Sequence, residues 1–286
     1  MAQLRWDDAC ERVQADDGLP VREVGGWSED KLFVWHSYIQ TTTSSMVGKP
    51  QWSAGLVYCD LFAGPGVCRL KDSTRRLPGS PLIAAMATKP FSHIFVVDSD
   101  ARNTAACSKR LEAFGAKDRS TVLTGDSNEL VDQIVKSIPK KALTLAFVDP
   151  EGLDVDFRTL RKLSDAGRVD LLVLFADAYD ALRNLESFIS GSDNRLDRML
   201  GPKSNWRQRI GELPNWDPNN LREFFSKQYI DVLKSQLGYV VADTKIVRGP
   251  NGPLYRLVYA SKHPRGLDFW HKVDAKDRHG NKGLFG

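Results

Sequence analysis

The stretch YCDLFAGPGVCRL, residues 58–70, joins the end of an apolar run (55–61) to a bend at Gly64-Pro65-Gly66, with Asp60 just ahead of it. A continuous apolar run is buried on both faces. Where such a strand ends in residues without Cβ atoms, a ligand can reach the backbone. The stretch therefore reads as the first strand of an α/β sheet, opening onto a ligand site at its carboxyl end.

The rest of the chain repeats the pattern. Apolar runs at 56–62, 93–100, 120–126, 142–152 and 169–176 alternate with helical segments. Ser80-Pro81 opens one helix, with serine as the expected cap, and Gly115 closes another. Upstream, Trp27, Lys31, Leu32, Trp35, Tyr38 and Ile39 recur at helical spacing and predict a helix over 27–45. Five strand–helix alternations predict a doubly wound parallel sheet. YVVADTKIV (239–247) and LYRLVYASK (254–262), joined by a Gly/Asn/Pro turn, predict a closing antiparallel hairpin. The expectation is a mostly parallel seven-stranded sheet with a C-terminal hairpin, the Rossmann-like arrangement of class I methyltransferases. Residues 1–26 read as an N-terminal extension or loop, and 67–80 as a long basic loop. Residues 27–286 form one methyltransferase-like domain, with 186–236 as a helical lid or substrate insertion.

Two ligand classes use a glycine turn in this position. A dinucleotide needs G-x-G-x-x-G and a helix N-terminus for its pyrophosphate. Arg69 occupies the third glycine position, and no helix signal follows Gly66 directly. S-adenosyl-L-methionine carries no phosphate. It needs close backbone approach at Phe62, Ala63, Gly64, Pro65 and Gly66, and acids for its sulfonium or amino group and its ribose. Asp60 and Asp98 end the first and second strands and suit these roles; Asp126 ends the third and suits the adenine amino group. The alternative for all three is a solvated loop carboxylate.

The ordered set DLFAGPG (60–66), GSPLIA (79–84), FVDPEG (147–152) and LVYASKHPRG (257–266) resembles the three-Cys-motif partner protein (TcmP) family. The segment at 27–39 and Arg183-Asn184 are similar too, so the likeness spans about 27–272. It implies a class I methyltransferase-like fold, an S-adenosylmethionine site at Asp60–Gly66, and a partner protein with a three-cysteine, radical-enzyme-like motif.

Asp149-Pro150 closes the fourth strand, where methyltransferases present groups to the acceptor. Base-amine methyltransferases typically carry D/N-P-P-Y/F there; Asp-Pro-Glu-Gly lacks the second proline and the aromatic. Asp149 either positions an acceptor or caps the next helix. Asp149, Pro150 and Arg183 are the catalytic candidates. Trp27, Lys31 and Tyr38 either cover the cofactor or belong to the core, and His263 and His271 either face the site or the surface. Glu151 is expected to be exposed.

Charge is uneven: 187–286 hold 17 Lys and Arg against 10 Asp and Glu, while 1–186 carry a net −3. In the insertion, Arg195, Arg198, Lys203, Trp206, Arg207 and Arg209 interleave cations with tryptophan. They read either as a nucleic-acid contact or as a solvated helix face. The four cysteines form no CxxC pair and have no histidine at zinc-ligand spacing, so no metal is expected. The acidic N-terminus lacks the apolar core of a secretory signal, and no run reaches about 18 apolar residues. The expectation is a cytoplasmic protein. The remaining readings are a non-catalytic cofactor-binding scaffold and a nicotinamide oxidoreductase.

Overall fold

The computed structural model describes residues 3–150, 152–250 and 252–274. Glu151 and Asn251 of the hairpin turn lie outside the described residues. The chain starts with α1 (Trp6–Glu11), β1 (Arg22–Val24) and α2 (Trp27–Met46). It continues through β2 (Leu56–Asp60), β3 (Val67–Leu70), β4 (Arg76–Pro78) and α3 (Ser80–Ala85). Then come β5 (His93–Asp98), α4 (Ala101–Ala113), β6 (Ser120–Thr124), α5 (Ser127–Ser137), β7 (Leu143–Val148), α6 (Phe157–Asp165) and β8 (Arg168–Phe175). A π turn at Asp177–Ala181 leads to α7 (Leu185–Ser190), α8 (Arg195–Leu200), α9 (Trp206–Ile210) and α10 (Pro218–Leu237). The hairpin β9 (Val241–Gly249) and β10 (Gly252–Ser261), with α11 (Pro264–Asp274), completes the described chain.

The main sheet has seven strands in the order β6-β5-β2-β7-β8-β10-β9. Its first five are parallel; β10 runs antiparallel to both β8 and β9. This is the doubly wound, Rossmann-like methyltransferase fold that the alternation predicts. Every residue of β2 and β7 is buried, because helices cover both faces of these central strands. On one face α2 lays Trp35 against Phe147 of β7, with ring centroids 4.9 Å apart. Truncating such a buried aromatic to alanine costs about 3–5 kcal/mol. The chain leaves β2 toward β5 and β6, then returns to β7 on its other side. The crevice at the carboxyl ends of β2 and β7 is therefore the topological switch point, where open α/β sheets bind ligands.

Two segments differ from the sequence reading. Residues 67–80 are not a loop. β3 and β4 form a hairpin, and β1 adds to it in parallel as a three-stranded side sheet. The hairpin is an excursion between two glycines: Gly79 N–H donates to Gly66 O at 2.8 Å. A Cβ on Gly79 would lie 2.9 Å from that oxygen, so only glycine allows the closure. Strands of three or four residues are too short to show a period. Residues 3–24 likewise contain α1 and β1, and Trp6, Ala9, Cys10 and Val13 are buried in the core.

Ser80 also differs. It lies inside α3, whose cap is Gly79, and makes no capping bond. Its hydroxyl bonds the Asp60 carboxyl instead. The arginine pattern of 186–236 resolves into four helices packed on the domain. Among the described residues, no helix is long and apolar enough to cross a membrane.

Candidate active site

A cavity of about 480 Å³ lies at the carboxyl ends of β2, β7 and β8. Its floor is Phe62, Ala63, Gly64, Pro65 and Gly66. Its opposite wall is Asp149 and Pro150 after β7, with Leu174 and Ala176 of β8. Trp27, Lys31 and Leu32 of α2, Arg22–Gly25 of the N-terminal segment, and Leu254 and Tyr255 of β10 complete it.

The glycine turn owes its form to three fixed contacts. Gly64 and Gly66 adopt φ of +62° and +86°, the left-handed region that only glycine enters without strain. A Cβ on Gly64 would find no heavy atom nearer than Arg22 Cδ, at 3.9 Å. Gly64 N–H donates to Asp98 Oδ2 at 2.8 Å, and Ala63 N–H to Val97 O at 2.9 Å. From the other side, Arg110 Nη1 donates to Pro65 O at 2.6 Å. Arg110 is buried, and its remaining donors reach Asp17, Leu19 O and Pro20 O. One guanidinium thus ties the turn to the N-terminal segment that walls the cavity. It also holds the Asp17 carboxyl down to about 2, chiefly by the hydrogen bonds it donates.

The three acids at the strand ends do not meet in the cavity, and none of them lines it. Asp60 is fully buried beneath the turn. Tyr58 OH donates to its Oδ2 at 2.9 Å, and Trp35 Nε1 donates to Tyr58 OH at 3.0 Å. Phe62 N–H reaches its Oδ1 at 3.3 Å. Burial pushes its carboxyl up to about 7, opposed by the Ser80, Tyr58 and Phe62 hydrogen bonds. Asp60 therefore props the turn from behind. Asp98 accepts from Gly64, from Asp100 N–H at 2.9 Å and from Asn103 Nδ2 at 3.0 Å. A carboxylate offers about four lone-pair directions, so a further donor finds room. Asp126 is exposed and caps α5 through Asn128 N–H at 2.7 Å.

Asp149 does not cap a helix. It forms an ion pair with Lys31 of α2, the two side chains only 15% and 12% exposed. The Lys31 ammonium also lies 5.8 Å from the centre of the Tyr255 ring. Tyr255 is buried, and burial, then the charges of Asp149 and Asp30, keep its phenol well above the ordinary value. Of the α2 residues read as a cover or as core, Trp27 and Lys31 line the cavity, while Tyr38 is core and bonds Tyr259 OH at 2.8 Å. Arg183 is exposed and does not line the cavity, nor do His263 and His271.

In the insertion, the cations brace the protein itself. Arg195 pairs with Asp180 at 3.1 Å, and Asp180 in turn accepts Leu153 N–H at 3.1 Å, fixing the loop that follows Asp149. Arg198 pairs with Asp156 at 3.5 Å. Arg207 grips Asp197 through two nitrogens, at 2.5 and 2.7 Å, and caps Phe188 O at 2.7 Å. Trp206 is buried and donates to Asp197 Oδ1 at 2.8 Å. Arg209 bonds Gln228 at 2.8 Å. Lys203 is exposed. Arg110, Arg22 and Tyr255 were not legible as site residues. They arrive from distant segments with no local motif.

No family model matches the chain, and no curated protein matches it. Among solved structures it is similar to a putative O-methyltransferase from Klebsiella pneumoniae, at 12% identity over 90% of each chain and a TM-score of 0.46. It is similar to an O-methyltransferase from Bacillus cereus in complex with SAH, at 12% identity over 88% of this chain and 89% of that one, TM-score 0.44. A third is the METTL16 MTase domain, at 10% identity over 89% of this chain and 78% of that one, TM-score 0.49. The fold assignment rests on the strand order and pairing described above.

Proposed function

We propose that this protein is an S-adenosyl-L-methionine-dependent methyltransferase. The observation that carries the reading is the Gly64-Pro65-Gly66 turn. It ends the central strand at the switch point, is tied by Gly64 N–H to the Asp98 carboxylate, and faces Asp149 across the cavity. The glycine turn fits the cofactor: the space over Gly64 that a Cβ would fill admits its amino-acid end, while Asp98 lies outside the cavity lining and shapes the turn through Gly64 N–H. Asp126 fits less well, since it is an exposed helix cap. When bound, the cofactor supplies an electrophilic methyl group. The protein's part is to hold an acceptor beside it, with Asp149 and Lys31 as the polar contacts and Trp27, Leu174 and Tyr255 as walls. Positioning of this kind accounts for much of the rate in a reaction whose donor is already activated.

A dinucleotide fits poorly, because Gly66 leads into β3 and offers no helix N-terminus to a pyrophosphate. Titration with S-adenosylhomocysteine and with NADH tests the choice. Micromolar binding of the first and none of the second is expected; the reverse refutes the reading.

One observation favours a second reading. The ion pair engages Asp149, the residue best placed for chemistry, as expected of a scaffold that keeps only the cofactor site. Cofactor binding without transfer of labelled methyl to any pooled acceptor would establish it. The ordered motifs further support a role beside a three-Cys-motif, radical-enzyme-like partner. Co-purification of the two proteins tests this, and separate elution at matched micromolar concentrations refutes it.

A further inference from the structure

We propose that the Lys31–Asp149 pair reads the acceptor, and that the acceptor is a ring presenting an N–H beside a C=O: a lactam edge, as in uracil or guanine. This inference rests on the methyl-transfer reading of the cavity. Lys31 donates hydrogen bonds and accepts none; an ion-paired carboxylate accepts and donates none. The two heads touch each other at the cavity wall, each largely buried. Their mutual contact uses one N–H of three on the ammonium and one lone-pair direction of about four on the carboxylate. What remains is a donor and an acceptor side by side.

A ligand that satisfies both needs an acceptor and a donor on adjacent atoms of one edge. A lactam has this. The amidine edge of adenine or cytosine instead sets an amino group beside a ring nitrogen that accepts; it also offers one donor and one acceptor. Charge separates the two classes. A lactam carbonyl oxygen is the stronger acceptor for an ammonium, and its ring N–H is acidic enough to be drawn to a carboxylate. The surrounding wall selects a planar ring: Trp27, Phe62 and Tyr255 all line the cavity. The Lys31 ammonium lies over the Tyr255 ring, 5.8 Å from its centre. The D/N-P-P-Y/F arrangement offers an amine only acceptors. Here a lysine from α2, 118 residues away in the chain, adds the donor.

The test is calorimetric titration of the full chain, with and without saturating S-adenosylhomocysteine, using uridine, guanosine, adenosine and cytidine. Short single-stranded oligomers of each base form a second arm. Uridine or guanosine should bind about tenfold more tightly than adenosine or cytidine: both edges make two bonds to the pair, so the difference lies in the strength of those charge-assisted bonds. Tighter binding of the oligomers than of the nucleosides identifies a strand as the source; equal binding identifies the free nucleoside. Lys31→Met and Asp149→Asn should each lose about tenfold or more of that affinity, and Lys31→Arg should restore part of it. S-adenosylhomocysteine affinity and the thermal midpoint of Lys31→Arg serve as controls for folding. Equal or tighter binding of adenosine or cytidine overturns the inference, as does undiminished uridine binding by folded Lys31→Met, or no ring binding at all. Absence of S-adenosylhomocysteine binding fails the methyl-transfer reading separately, since the rings are also titrated without it.

Discussion

Replacing Asp60 by asparagine should abolish the pH dependence that this one carboxyl imposes on stability. The side chain has no exposed surface and sits under the glycine turn. Burial raises its carboxyl from 3.8 to about 7. At about 1.4 kcal/mol per unit, that makes the ionised form about 4 kcal/mol more costly in the folded chain than in the unfolded one. A raised acid binds its proton more tightly when folded. Its favourable contribution is therefore fully present below about pH 3.8 and lost as pH rises through about 7. Asparagine keeps the shape and an oxygen for Phe62 N–H, and does not ionise. Urea unfolding of both proteins, followed by tryptophan fluorescence from about pH 4 to pH 8, gives the comparison. The difference in stability should move by about 4 kcal/mol toward the asparagine variant across that range. A difference that stays constant with pH would refute the reasoning: the carboxyl would then titrate as an ordinary surface aspartate.

Other consequences follow from named contacts. Arg110→Met removes the tie between Pro65 O and the N-terminal segment and leaves Asp17 without its guanidinium. Asp17 is more than a third exposed and can be hydrated when unpaired, so we expect a loss of about 1–3 kcal/mol in denaturant unfolding, with weaker S-adenosylhomocysteine binding by calorimetry. In the wild type, Asp17 is depressed to about 2. Its contribution is present above about pH 3.8 and lost only as pH falls through about 2, so the N-terminal segment should resist proteolysis at pH 4 as it does at pH 7. Asp98→Ala deprives Gly64 N–H, Asp100 N–H and Asn103 of their acceptor; cofactor affinity should fall by about tenfold or more, as one charged hydrogen bond requires. Arg207→Ala breaks the two-nitrogen grip on Asp197; the thermal midpoint should fall while cofactor affinity holds.

Strands β2, β5, β7 and β8 were legible because burial on both faces writes itself as uninterrupted apolar runs, and their ends fell within a few residues of the runs. The turn at 64–66 was legible for a related reason: glycine and proline mark backbone conformations directly. The hairpin within 67–80 was not, because its strands are held by Gly66–Gly79 closure and by β1, contacts made far along the chain. Lys31 could be placed on a helix by period, yet nothing local said that it would meet Asp149. The cations of 186–236 show the opposite failure. Their spacing suggested an outward-facing basic surface, but Asp154, Asp156, Asp180 and Asp197 bind three of them, Arg195, Arg198 and Arg207, and pairing across such distances is invisible to composition.

The central claim is that the Gly64-Pro65-Gly66 turn holds S-adenosylmethionine. Calorimetric titration of S-adenosylmethionine and S-adenosylhomocysteine into wild type and Gly64→Val tests it most directly. Valine places a branched side chain in the space over the turn, at a φ of +62° that it resists. Micromolar binding by wild type, lost in a variant that unfolds cooperatively, is the predicted result. No binding by the folded wild type, or equal binding by Gly64→Val, would contradict it.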